Sequence, residues 1–176
     1  MFTDKAMRII ELAKDRAFSL ARDCVDLESI LAAMGSDSEA GVRLADCLTK
    51  GDITELRGRC PELGKPAPCP GKMEPDSDLR SALEAALDLA SGEGVPDRTH
   101  PGFIGLEHLI CAIAMSRAAI EILGGGLPPL QRDEAIKLLS GWLSDVGGGA
   151  SLGELVGRLR GLRADLMSKV FGQDHA

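Results

Sequence analysis

Glu28 and Glu107 each occupy the second place of a Leu-Glu-x-apolar-apolar sequence, and the chain of 176 residues carries that sequence in two corresponding regions. Both fall just inside the start of an apolar, helix-forming run. A carboxylate there faces the positive end of the helix dipole and gains roughly 0.3–1 kcal/mol, which by itself accounts for an acidic residue at that position. Thr3 and Ser77 precede two longer amphipathic runs and are read as N-caps, whose hydroxyls accept an otherwise unpaired backbone N–H. His108 and Cys111 are three apart on one helix and so share a face, the residue types of a base and its nucleophile. The surrounding LEHLICAIAM is apolar and offers no third group to orient the histidine, so core packing of Cys111 is the expectation. Cys60 and Cys69 can ligate metal, but two local ligands fall short of the four that a structural zinc site takes, and no metal is expected. No G-x-x-x-x-G-K-[ST] occurs. Without that cradle of backbone amides and its lysine the chain is not expected to hold a nucleotide, or to be an enzyme on its own.

The elements that would position these residues repeat. Thr3 opens a run with Ala6, Ile10, Ala13, Ala17 and Leu20 at helical spacing. A second run from about Asp26 carries Leu27, Ile30, Leu31 and Met34, a third carries Val42, Ala45 and Leu48, and a short fourth carries Ile53 and Leu56. From Arg59 to Asp78 five prolines break any regular structure, and the stretch reads as a linker. The pattern then restarts at Ser77 with Leu79, Ala82, Leu83, Ala86, Leu87 and Ala90. LEHLICAIAM answers LESILAAM, and AAIEILGG answers GVRLADCLTKG. The interval is 74 residues from Thr3 to Ser77 and 79 from Leu27 to Leu106, the mark of an internal repeat with one loop insertion. Leu130 to Val146, with Ile136, Leu139, Trp142 and Leu143, completes the second copy. The glycine clusters at Gly124 and Gly147 read as hinges. Ser151 with Glu154 forms a capping box ahead of Leu152, Leu155, Leu159, Leu162 and Leu166.

Composition agrees with helices. Aromatic residues make up 3% of the chain, which has no Tyr and one Trp, and an Ala/Leu core suits helix packing better than a sheet. A net charge of −7 and a pI near 5.0 disfavour nucleic acid and anionic lipid as partners. No apolar run approaches a membrane span, and MFTDKAMR is unlike a signal peptide, so a cytoplasmic location is expected. The five scattered cysteines are unlike a secreted disulfide framework.

The doubled unit, with FTDKAMRIIELA opening the first copy and GLEHLICAI within the second, resembles the Clp N-terminal repeat domain of Clp-type AAA+ protein unfoldases, of the AAA-2 class. The terminal LMSKVFGQDHA looks like the segment that opens the first ATPase module of the same proteins. The resemblance implies an all-α fold of two pseudo-symmetric four-helix Clp repeats with a C-terminal linker helix. Its divisions are 1–60 for the first repeat, 61–76 for the Pro- and Cys-rich linker and 77–146 for the second repeat. A glycine hinge follows at 147–150, then the linker helix and the start of the ATPase module at 151–176. Two features depart from the family pattern: Ser29 stands where His is common, and the linker is not a family feature.

The resemblance further implies a non-catalytic domain that recruits substrate polypeptides and adaptor proteins to an AAA+ ring, with or without a Clp-type protease. ATP and Mg would belong to the missing ATPase modules. It also implies that Glu28 and Glu107 bind the guanidinium groups of arginine-marked substrates, a task that suits carboxylates because each accepts a bidentate pair of donors, with Thr3 and Ser77 lining the same clefts. The alternative is an assembly or gating element that self-associates through residues 151–170, leaving the chain a monomer or a weak dimer. The two readings differ in solution mass. Recruitment expects the same protomer number with and without residues 150–176, as measured by light scattering, whereas an assembly element loses its dimer on that truncation.

Overall fold

Side chains that compete with the backbone for hydrogen bonds set the helix boundaries. The computed structural model describes residues 2–91 and 103–147. In the first copy Thr3 precedes α1 (Asp4–Ser19), Asp26 caps α2 (Leu27–Ser36), Asp37 caps α3 (Ser38–Leu48) and Asp52 caps α4 (Ile53–Arg59). The Asp26 carboxylate accepts from Ser29 N at 2.8 Å, and Asp37 accepts from Glu39 N and Ala40 N at 3.0 Å each. Each such cap is worth about 1 kcal/mol. The second copy contains α5 (Ser77–Ser91), α6 (Leu106–Met115), α7 (Arg117–Ile122) and α8 (Arg132–Gly147). Ser77 is not the N-cap expected of it. Asp76 takes that place, accepting from Leu79 N at 2.7 Å, and Ser77 is the first helical residue, with its side chain exposed. A carboxylate three residues ahead of an available N–H outcompetes the neighbouring hydroxyl.

The chain divides into Met1–Ser140 and Gly141–Ala176. In the first unit, α1 packs on α2 and α5 on α6, and the copies then cross over: α3 lies on α6 and α7 lies on α2. The backbone repeats the exchange. Phe2 pairs in parallel with Ile104, and Thr3 N donates to Ile104 O at 3.0 Å. Likewise β1 (Cys24–Val25) pairs in parallel with β2 (Glu74–Pro75), and Asp76 N donates to Val25 O at 2.9 Å. Thus the residues that open each copy's first helix bond to those that precede the other copy's second helix. The second unit is described over 141–147, where α8 ends. The expected linker helix at 151–176 and the hinge residues 148–150 lie outside the described residues.

Several apolar stripes sit one or two positions away from the expected ones. On α1 the buried side chains are Ala6, Ile9, Ala13, Arg16 and Ala17, and Leu20 lies beyond the helix end, exposed. On α3 Leu44 is buried while Val42 is 50% exposed, and on α5 Leu89 replaces Leu87. One residue is 100° of helix rotation, so a stripe with apolar residues on two adjoining rows is ambiguous until its partner is known. Gly124, Gly125 and Gly126 do not form a hinge: all have positive φ (91°, 66° and 75°) and close the end of α7, with Gly125 N bonded to Ile120 O at 3.1 Å. The Arg59 guanidinium donates to Gly125 O at 3.2 Å and binds this turn to the first copy.

The proline-rich stretch is strapped to α1 rather than loose. Asp15 O accepts from Ala67 N at 3.3 Å, Asp15 Oδ1 accepts from Cys69 N at 2.9 Å, and Arg16 Nη1 donates to Leu63 O at 2.9 Å. Its start docks on α2 because Gly35 has no side chain: a Cβ there would stand 2.8 Å from Cys60 Sγ. Gly35→Ala therefore forces the strap and α2 apart, and is expected to lower unfolding free energy by about 1–3 kcal/mol in urea titrations, despite alanine's better helix propensity.

Candidate functional site

The two Leu-Glu sequences open α2 and α6, and their carboxylates already hold guanidinium groups. Glu28 takes Arg22, which also pairs with Asp26, so one arginine from the α1–β1 turn bridges both acidic residues at the start of α2. Burial works against the Arg22 charge, and hydrogen bonds to Glu28 and then Asp26 more than offset it, so its pKa is raised. Glu107 faces Arg43 of the other copy's α3 at 3.4 Å, and Arg43 also reaches Glu39 at 3.6 Å. The side chains of Glu28 and Glu107 are 40% and 15% exposed. Aligned on their N-caps, Asp37 and Ser116, Arg43 in α3 corresponds to Ile122 in α7. The first copy's glutamate consequently lacks an equivalent cross-copy arginine and is met by Arg22 instead.

The two helix starts satisfy different backbone groups. Ahead of α6, Gly105 has no side chain to accept from the first turn, and His108 Nδ1 reaches back to accept from Gly105 N at 3.1 Å. At the start of α2 the Asp26 side chain accepts from the first turn instead, at Ser29 N, and Ser29, which stands where α6 has His108, is fully buried with no hydrogen-bond partner for its Oγ among the described residues.

Thr3 is half-buried, and its hydroxyl lies 3.5 Å from Ala6 N, a long cap contact. The backbone exchange puts Thr3 beside the lead-in to α6, and Asp76 and Ser77 beside the lead-in to α2. Thr3 therefore lies toward Glu107's helix and Ser77 toward Glu28's.

Between α1 and α5, which make little contact with each other, an apolar cavity of about 350 Å³ opens to the surface. Phe2, Met7 and Ile10 line it from α1 and its lead-in, Met73, Pro75, Leu79 and Leu83 from α5 and its lead-in, and Val25 and Ile30 close it. Ile10 and Leu83 are the residues missing from the fully buried stripes, because their rows face this groove. Glu28, Ser77 and Thr3 each lie within three positions of a groove residue, whereas Glu107 is turned to Arg43.

No protein-family model matches the chain, and no curated protein does. Among solved structures it is similar to the Hsp104 N-terminal domain from Candida albicans, with a TM-score of 0.51 at 15% identity, over 86% of this chain and 94% of that one. The chain has the Clp N-terminal domain fold. The N-terminal domain of the caseinolytic protease associated chaperone ClpD from Arabidopsis thaliana also matches, with a TM-score of 0.46 at 17% identity, over 82% of this chain and 94% of that one. The described residues hold eight helices, and no helix among them is long and apolar enough to cross a membrane.

The other sequence candidates do not assemble into a reactive centre. Cys111 is fully buried and its thiol pKa is raised, first by a hydrogen bond with Cys47 and then by burial. His108 directs Nδ1 to Gly105 N, so this nitrogen acts as an acceptor. Cys60 packs on Gly35, and Cys69 Sγ lies 3.5 Å from Gly71 O. No group of three or more His, Cys, Asp or Glu among the described residues is placed to hold a metal ion. In the folded protein at pH 7, mass spectrometry after brief treatment with a maleimide is expected to find Cys111 unmodified, and to find it fully modified in guanidinium chloride. Labelling of native Cys111 as fast as of an exposed thiol would contradict its burial.

Proposed function

We propose that this chain is the polypeptide-binding N-terminal domain of a Clp-type AAA+ unfoldase, non-catalytic by itself, and that the α1–α5 groove is where it takes hold of substrate or adaptor segments. The observation that carries the reading is the groove itself: an open, almost wholly apolar cavity at the seam of the two copies, in a protein with a net charge of −7. Apolar surface of this kind gains by burying hydrophobic side chains of a partner, at roughly 25 cal/mol per Å² removed from water. Met7 and Met73 give its walls adaptable side chains, a property of surfaces that accept varied apolar sequences.

The acidic residues contribute unequally in this reading. Glu28, the more exposed and near Val25 on the groove wall, can exchange Arg22 for an arginine of the bound polypeptide. Glu107 would have to give up Arg43 in a far drier setting, where breaking a pair leaves a charge without compensation. Thr3 and Ser77 contribute through the position of their helix starts. Modest affinity suffices, because several such domains on one ring raise the local concentration of any captured chain.

The test is the fluorescence anisotropy of a labelled, permanently unfolded polypeptide titrated with the full chain. Ile10→Glu with Leu83→Glu, both at half-buried positions, is expected to weaken binding at least tenfold while leaving the helical circular dichroism intact. Glu28→Gln is expected to weaken only arginine-containing peptides, by about two- to fivefold, as for a partly exposed ion pair. Undiminished binding by the double variant would remove the groove from the function.

A further inference from the structure

A second cavity, also of about 350 Å³ and sharing no lining residue with the apolar groove, lies where α1, the end of α2, the end of α4 and the strap meet. Its walls carry Arg16, Ser36, Arg57, Cys60 and Glu62. Arg16 is the unusual member. It is only 8% exposed, yet it makes no ion pair among the described residues. Its Nη1 donates to Leu63 O at 2.9 Å and its Nη2 to Ser36 Oγ at 2.7 Å, both neutral acceptors, and its Nε is buried with no partner. A buried cation without an anion is costly and is seldom left so. The carbonyl end of α2 supplies only about half a negative charge.

The remaining residues do not close the deficit. Cys60 is held as a neutral thiol, its pKa pushed up to about 11 by burial, so it supplies no thiolate. Glu62 is exposed and is not ion-paired to Arg16. Arg57, also exposed, adds a second guanidinium without an ion pair among the described residues. A cavity lined by two cations and one exposed carboxylate, with one of the cations buried and short of a partner, is thus set into a protein of net charge −7. From this geometry we infer that the Arg16–Arg57 cavity is a binding site for a phosphate group, carried free or on a small phosphomonoester. Guanidinium forks match phosphate oxygens, and the two arginines outweigh the single exposed carboxylate of Glu62. The occupant would tie α1, α4 and the strap together, making the strap's docking dependent on ligand.

Calorimetric titration of the full chain with inorganic phosphate and with O-phosphoserine, against sodium chloride at matched ionic strength, tests the site. Saturable binding of one or both is expected, and the tighter of the two identifies whether the free ion or the monoester is preferred. Arg57→Glu, at an exposed position, is expected to weaken it at least tenfold, as is Arg16→Gln where that variant folds, and Lys137→Glu, at an exposed position on α8, is expected to bind as the parent does. The inference is overturned by heats no larger than those of chloride, by Arg57→Glu binding like the parent, or by Lys137→Glu weakening binding equally.

Discussion

The fold depends on two helices that are apolar on every side. In α2 eight of the ten residues are buried, from Leu27 to Gly35, and in α6 seven of ten. A helix of this kind must be enclosed completely. Within one repeat α1 and α3 lie on α2, and α5 and α7 on α6, and this leaves part of each buried helix open. Exchange between the copies closes it, with α3 on α6 and α7 on α2. The parallel pairings of Phe2 with Ile104 and of Val25 with Pro75 follow from the same exchange, since each first helix must begin beside the other copy's second. Duplication is therefore a structural requirement of this sequence: one copy alone would expose a face made of Ile, Leu, Met and Ala.

The same exchange makes the apolar groove. Because α1 and α5 each cover a different buried helix, they are held near each other without packing together, and the rows that carry Ile10 and Leu83 face the gap. The groove is thus a by-product of pseudo-symmetry that a solitary repeat could not form. Its two walls differ, with Val25 and Ile30 added only from the first copy, so a bound segment would meet a directional surface.

Pseudo-symmetric positions have been kept in place but assigned different chemistry. The helix starts at Asp26 and Gly105 are equivalent, yet at one the Asp26 carboxylate accepts from Ser29 N and at the other His108 Nδ1 accepts from Gly105 N. The glutamates that follow are equivalent too, yet one is paired locally with Arg22 and the other across the copies with Arg43. Both starts present unpaired N–H groups and a dipole end, and which of these is answered, and by which side chain, depends on what the neighbouring residues supply.

Helix content, the duplication and the two Leu-Glu helix starts were legible in the sequence, because caps and 3.6-residue periodicity act within a few positions of one another. Asp26 marks the start of α2 from three positions before the N–H it caps. Which side of α1, α3 and α5 is buried was not legible to better than one helical row, because Ile9 and Ile10, Val42 and Leu44, or Leu87 and Leu89 are equally apolar and only the partner helix distinguishes them. Arg43 could not be matched to Glu107, nor Arg59 to the glycine turn, since these pairs are 64 positions or more apart in sequence. The Pro-rich stretch, read as a linker, carries no local sign that Asp15 and Arg16 would strap it down. Local hydrogen-bond competition is encoded in short spacings and so belongs to the sequence. The groove and the Glu107–Arg43 pair arise where the two copies meet, and the arginine-lined cavity where α1, α2, α4 and the strap meet, so only tertiary packing decided them.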